Sequence, residues 1–141
     1  MIARPVHRML AGAAVLIGVH GGQALAQSTK PIEGTWSGSQ DVRTPNKLDK
    51  LVPLTLIIAG AGAGEGAGLI RFGAPKSCTA TLQFSGIDAD QDFWFRVIGS
   101  DGGYCLRLQN NDAVLEIKSV APGSVRLSVT ESGVFWGGIL K

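Results

Sequence analysis

Apolar and polar side chains alternate with a period of two over much of this chain, the pattern by which a β-strand turns one face to a core and the other to water. Between Ser77 and Ser85, Cys78, Ala80, Leu82 and Phe84 share one face, and Thr79, Thr81 and Gln83 share the other. The same parity sets Leu54, Leu56 and Ile58 against Thr55 and Ile57, and it groups Phe93, Phe95 and Val97. Tyr104, Leu106 and Leu108 form a further set, as do Ala113, Leu115 and Ile117, and Val125, Leu127 and Val129. None of these runs is read with the helical period. Turn-forming clusters separate them, at Gly60 to Gly68, Gly73-Ala74-Pro75, Gly86 to Gln91, Ser100 to Gly103, Asn110 to Asp112, Ala121-Pro122-Gly123 and Glu131-Ser132-Gly133. About eight to nine short strands joined mainly as hairpins predict an all-β domain, an antiparallel barrel or sandwich, with a closed or nearly closed sheet preferred.

Residues 1 to 26 break the pattern. Arg4, His7 and Arg8 precede an apolar run from Met9 to Val19, and Ala24-Leu25-Ala26 supplies small residues for cleavage. This is the anatomy of a secretory signal peptide, and it leaves residues 27 to 141 as a single β domain. The apolar run is too short to span a bilayer. The mature protein is thus expected in the periplasm or outside the cell, with no membrane span.

Removal of the leader changes the chemistry that remains. Both histidines, His7 and His20, depart with it, and of 13 Lys and Arg only 11 remain, against 11 Asp and Glu. A formally neutral domain offers no general argument for nucleic acid. Without His there is no Ser-His-Asp or Cys-His nucleophile and no His-based zinc site. A glycan hydrolase working through two carboxylates stays open in principle, although no pair stands out in the sequence. No cofactor is expected.

Cys78 and Cys105 are the two cysteines, and in an exported domain of this size they read as a structural disulfide. The pairing meets a difficulty of parity, because Cys78 lies on the apolar face of its strand and Cys105 on the polar face of a Tyr104–Leu108 strand. Either a bulge near Gly102-Gly103 shifts the register, or the bridge joins a strand end to a loop.

Two stretches carry candidate binding chemistry. Asp88, Asp90 and Asp92 have a D-x-D-x-D spacing that suits a hard cation, yet the Gly and Glu of an EF-hand loop are replaced by Phe93 and Gly99, so a plain acidic turn is preferred and no metal is assigned. With Phe93, Phe95 and Val97 inward, Asp92, Trp94 and Arg96 point outward together. An exposed Trp beside Arg has the composition of a protein-binding hot spot. The Gly-Ala repeat at 59 to 68 lacks the pattern of a phosphate loop and reads as a flexible hairpin connection.

Gly34-Thr35-Trp36 resembles the G-x-W triplet on the first strand of lipocalins and avidins, small antiparallel barrels that hold ligands. The resemblance implies a barrel in which Trp36 closes one end, with Trp136 of Val134-Phe135-Trp136-Gly137-Gly138 plugging from the last strand. It does not carry over biotin, since Gly38 stands where avidins place an Asn. The expected function is that of an exported, non-enzymatic module that recognises another protein, as an inhibitor or immunity factor. A carrier of a small apolar ligand is the alternative, and the carboxylate hydrolase ranks behind both.

Overall fold

The computed structural model describes residues 28–60 and 67–141, so the leader and most of the Gly-Ala repeat lie outside the described residues. Eight antiparallel strands follow one another in a single sheet: β1 (Gly34–Thr44), β2 (Lys47–Ala59), β3 (Ala67–Phe72), β4 (Cys78–Ile87), β5 (Phe93–Ser100), β6 (Val114–Ala121), β7 (Ser124–Glu131) and β8 (Val134–Leu140). Each strand pairs with the next in the chain. Ser37 and Lys141 then exchange two backbone hydrogen bonds of 2.8 and 3.0 Å, drawing β1 to β8 and nearly closing a barrel. The last turn shows how local chemistry serves this topology: Ser132 and Gly133 both have positive φ, 50° and 78°, as a two-residue hairpin between right-twisted strands requires.

The inward faces, those predicted and that of β3, fill the barrel. Leu54, Leu56, Ile58, Ile70, Phe72, Ala80, Leu82, Phe84, Phe93, Phe95, Leu115, Ile117, Leu127 and Val129 are all buried in one apolar cluster. β1 is the exception, because its inward positions after Trp36 are Gly38 and Gln40 before Val42 restores the apolar pattern. A close approach that does require glycine is at Gly137 of β8, where a Cβ would run into the Leu127 backbone carbonyl of β7.

One element departs from the expected strands. Gly103–Asn110 is an α-helix, α1, lying between β5 and β6 where Tyr104, Leu106 and Leu108 were expected to form a strand. Gly102 and Gly103, with φ of 116° and 58°, turn the chain out of the sheet. Tyr104, Cys105 and Leu108 are buried and Leu106 is 43% exposed, a spacing of one and four that fits a helix face. This also resolves the parity of Cys105, which bonds Cys78 at the start of β4 from the helix and not from a strand. The bridge pins α1 across one barrel end.

The two ends are closed differently. At the α1 end, Trp136 Nε1 donates to the Tyr104 hydroxyl at 3.0 Å, and both rings pack edgewise on Phe72. Burial pushes the Tyr104 phenol up to about 12. Glu131, 2% exposed, accepts from Arg107 Nε at 3.0 Å and from Asn111 Nδ2 at 2.7 Å. At the other end a 3-10 turn, Lys30–Ile32, inserts Ile32, and half-buried Trp36 donates from Nε1 to the Ile32 carbonyl at 2.9 Å.

Candidate functional site

The barrel's outward faces are dominated by polar side chains, but β5 to β8 assemble something more specific. Register places Gln83, Arg96, Val114, Thr130 and Phe135 side by side across β4 to β8. A second row runs Trp94, Glu116, Ser128 and Gly137, and a third runs Lys118, Arg126 and Ile139. Residues opposite one another on a shared face stand about 5 Å apart, so each row is a line of adjacent positions. Phe135 is 61% exposed and Ile139 40% exposed, so apolar area borders the charges.

The three residues singled out on β5 are not equivalent. Arg96 is exposed and donates from Nη2 to Gln83 Oε1 at 3.1 Å. Trp94 is half-buried on the exterior, its Nε1 donating to Asp88 Oδ2 at 2.8 Å. Asp92 shares their parity but is only 8% exposed, because it sits where the β4–β5 turn folds back over the sheet. In that turn Asp88 Oδ1 accepts the backbone N–H groups of Asp90 and Asp92, at 2.9 and 3.1 Å. These bonds, led by the one from Trp94, hold the Asp88 carboxyl below its ordinary pKa.

Of the D-x-D-x-D carboxylates, Asp90 is exposed, and Glu116 of β6 takes its place beside the other two. One carboxylate oxygen from each of Asp88, Asp92 and Glu116 lies within 4.8 Å of the others. The Asp92 carboxylate beside Glu116, followed by burial and by the negative charges of Asp92 and Asp88, pushes it up to about 7. Lys118 Nζ stands 3.5 Å from Asp92 Oδ1, an ion pair without hydrogen-bond geometry, and Oδ1 is buried with no hydrogen-bond donor. Asp92, Glu116, Lys118, Arg126 and Ser128 line a pocket of about 180 Å³.

Sequence reasoning reached Trp94, Arg96, Asp88 and Asp92 but missed Glu116, Lys118, Arg126 and Ser128. The available signal was that Glu116 and Lys118 occupy the polar parity of the Ala113-Leu115-Ile117 strand. The missing information was the β5–β6 register, which the intervening helix conceals. The proposed plugs lie apart from this site, Trp136 buried against Tyr104 and Trp36 half-buried at the opposite end.

No helix among the described residues is long and apolar enough to cross a membrane. No protein-family model matches the chain, and no curated protein or solved structure matches it.

Proposed function

We propose that the protein is an exported, non-enzymatic module that binds another protein through the outer face of β5 to β8, in an inhibitor or immunity-type role. The observation that carries this reading is the fixed, half-exposed ring of Trp94, bonded to Asp88 at 2.8 Å on the barrel exterior beside exposed Arg96. An aromatic ring held before contact loses little conformational freedom on binding, and Trp with Arg dominates interface energetics. Phe135 and Ile139 extend the contact area across β8. The signal-peptide anatomy and the Cys78–Cys105 bridge support an oxidising, exported setting.

Two other readings fit less well. A carrier of the lipocalin or avidin kind needs internal space, and here Phe72, Phe84, Phe95, Trp136 and their aliphatic neighbours occupy the barrel. A glycan hydrolase needs its carboxyl groups about 5 Å apart or more, flanking a bond, whereas Asp88, Asp92 and Glu116 crowd oxygens within 4.8 Å of one another.

Native mass spectrometry of the protein isolated from its export compartment is the test. A stoichiometric protein adduct that is lost in the Trp94→Ala/Arg96→Ala variant is the expected result. A small-molecule adduct on the wild type would establish the carrier instead, and an adduct insensitive to both substitutions would place the interface elsewhere.

A further inference from the structure

We propose that the partner met by the outer face of β5 to β8 is an acidic protein segment, one of whose carboxylates pairs with Arg126. The proposal rests on the protein-binding reading above and names the chemistry of that partner. Charge accessibility carries it. The outward charges on these four strands are Arg96, Glu116, Lys118 and Arg126, with Asp88 and Asp92 folded against them from the β4–β5 turn. Asp92 is 8% exposed and paired with Lys118 at 3.5 Å, Asp88 is half-buried under three hydrogen bonds, and Glu116 is half-buried. Exposed Asp90 belongs to the turn beyond the strands. The charges a partner reaches on the strands are therefore Arg96 and Arg126. Arg96 bonds the neutral amide of Gln83, and Arg126 makes no ion pair among the described residues. A guanidinium is the side chain best suited to hold a carboxylate through two parallel hydrogen bonds.

Register sharpens the case for Arg126. It stands directly opposite Lys118 on the shared outer face of β6 and β7. Like charges in opposed positions destabilise a sheet, and the Asp92 carboxylate that answers Lys118 leaves Arg126 unanswered. A local cost of this kind on an exposed strand is the mark of a surface shaped for function. Arg126 and Ser128 share a pocket of about 180 Å³. Asp92 and Glu116 line the same pocket from the start of β5 and from β6, so an incoming carboxylate is held on the β7 side, by Arg126.

Beside Arg126 the sheet offers an apolar notch. The approach of β7 demands glycine at 137, and the same demand leaves no side chain between Phe135 and Ile139, which are 61% and 40% exposed. Ile139 lies opposite Arg126 and Gly137 opposite Ser128. An apolar side chain of the partner fits between the two rims while an adjacent carboxylate reaches Arg126. Two ladder spacings and four residues of rise separate Arg96 from Arg126, so their Cα atoms stand roughly 16 Å apart, the length of about five residues of extended chain. Acidic and apolar residues alternating over one strand's length satisfy both arginines and the notch.

The probe is an acetylated, amidated pentapeptide alternating glutamate and leucine, titrated to millimolar concentration into the ¹⁵N-labelled mature protein. Saturable amide shifts at Ser128 and Gly137 are expected, absent with the glutamine counterpart and weakened about tenfold in Arg126→Gln, as loss of one charge-assisted hydrogen bond requires. Arg126→Gln should also raise the urea midpoint by relieving the repulsion with Lys118, where a purely structural arginine would lower it. No saturable shifts, equal binding of the glutamine peptide, or a midpoint that stays or falls overturns the proposal. The two readings fail separately: a protein adduct in native mass spectrometry that Trp94→Ala/Arg96→Ala removes but Arg126→Glu leaves intact overturns the acidic partner alone.

Discussion

Arg107 and Glu131 should differ sharply in what their removal costs, although they are partners in one ion pair. Glu131 is 2% exposed, whereas the Arg107 side chain is 39% exposed. Arg107→Ala therefore strands a buried carboxylate with Asn111 as its remaining donor, at 2.7 Å. Breaking a buried pair in this direction costs about 3–5 kcal/mol, and the surviving Asn111 bond places this case near about 3. Glu131→Ala loses two charge-assisted hydrogen bonds, roughly 1.5–3 kcal/mol each, but it also removes the carboxylate's desolvation penalty and leaves Arg107 able to turn to water. The net cost should be about 1.5 kcal/mol. Urea unfolding measures both. With a slope near 1–1.5 kcal/mol/M for a chain of this size, the midpoint should fall by about 2–3 M for Arg107→Ala and about 1 M for Glu131→Ala. The double variant should be more stable than Arg107→Ala alone, because the stranded charge is gone. Equal single costs that simply add in the double variant would refute the reasoning.

Three further outcomes follow from the same structure. Tyr104 is the single tyrosine, so absorbance titration of the folded protein should show no phenolate until well above pH 10; half-ionisation near pH 10 would contradict its burial. Glu116, raised from 4.5 to about 7, binds its proton more tightly in the folded state, so its contribution is complete below about pH 4.5 and lost as pH rises through 7. After allowance for solvent screening at this half-exposed site, stability should decline by about 1 kcal/mol across that window, and Glu116→Gln should flatten the profile measured by urea midpoints. Replacing both cysteines by Ser opens a crosslink spanning 27 residues and should cost about 3.5 kcal/mol on the chain-entropy treatment. An eight-residue helix is too short to persist without its anchor, so loss of helical circular dichroism should accompany the change, and an intact helix would show that the packing of Tyr104 and Leu108 holds it without the bridge.

The barrel was legible wherever period-two alternation met a turn signal, as at Cys78–Phe84 and Val125–Val129, because one buried face per strand leaves that signature directly. Tyr104 to Leu108 misled because apolar residues at 104, 106 and 108 satisfy strand parity, while the true face at 104, 105 and 108 uses a cysteine whose burial depends on its bridge. The outward site was half legible. Trp94 and Arg96 follow from parity within one strand, but the meeting of Asp88, Asp92 and Glu116 depends on a register set across a helix, and no local pattern encodes that. Asp92 shows the same limit from the other side: parity points it outward, and the turn then covers it.

The seam between β1 and β8 gives this molecule an unusual order of assembly. Every other ladder joins consecutive strands, so the sheet is able to grow as a strip from hairpin to hairpin. Rolling that strip shut is the one step that needs the first and last strands together, as in the bond from Gln40 to the Ile139 carbonyl across 99 residues. Gly38 and Gln40 give β1 little apolar area to bury between Trp36 and Val42, so closure gains little there. Amide exchange should therefore find the seam opening well before the core does, a native fluctuation that uncurls the sheet without melting it.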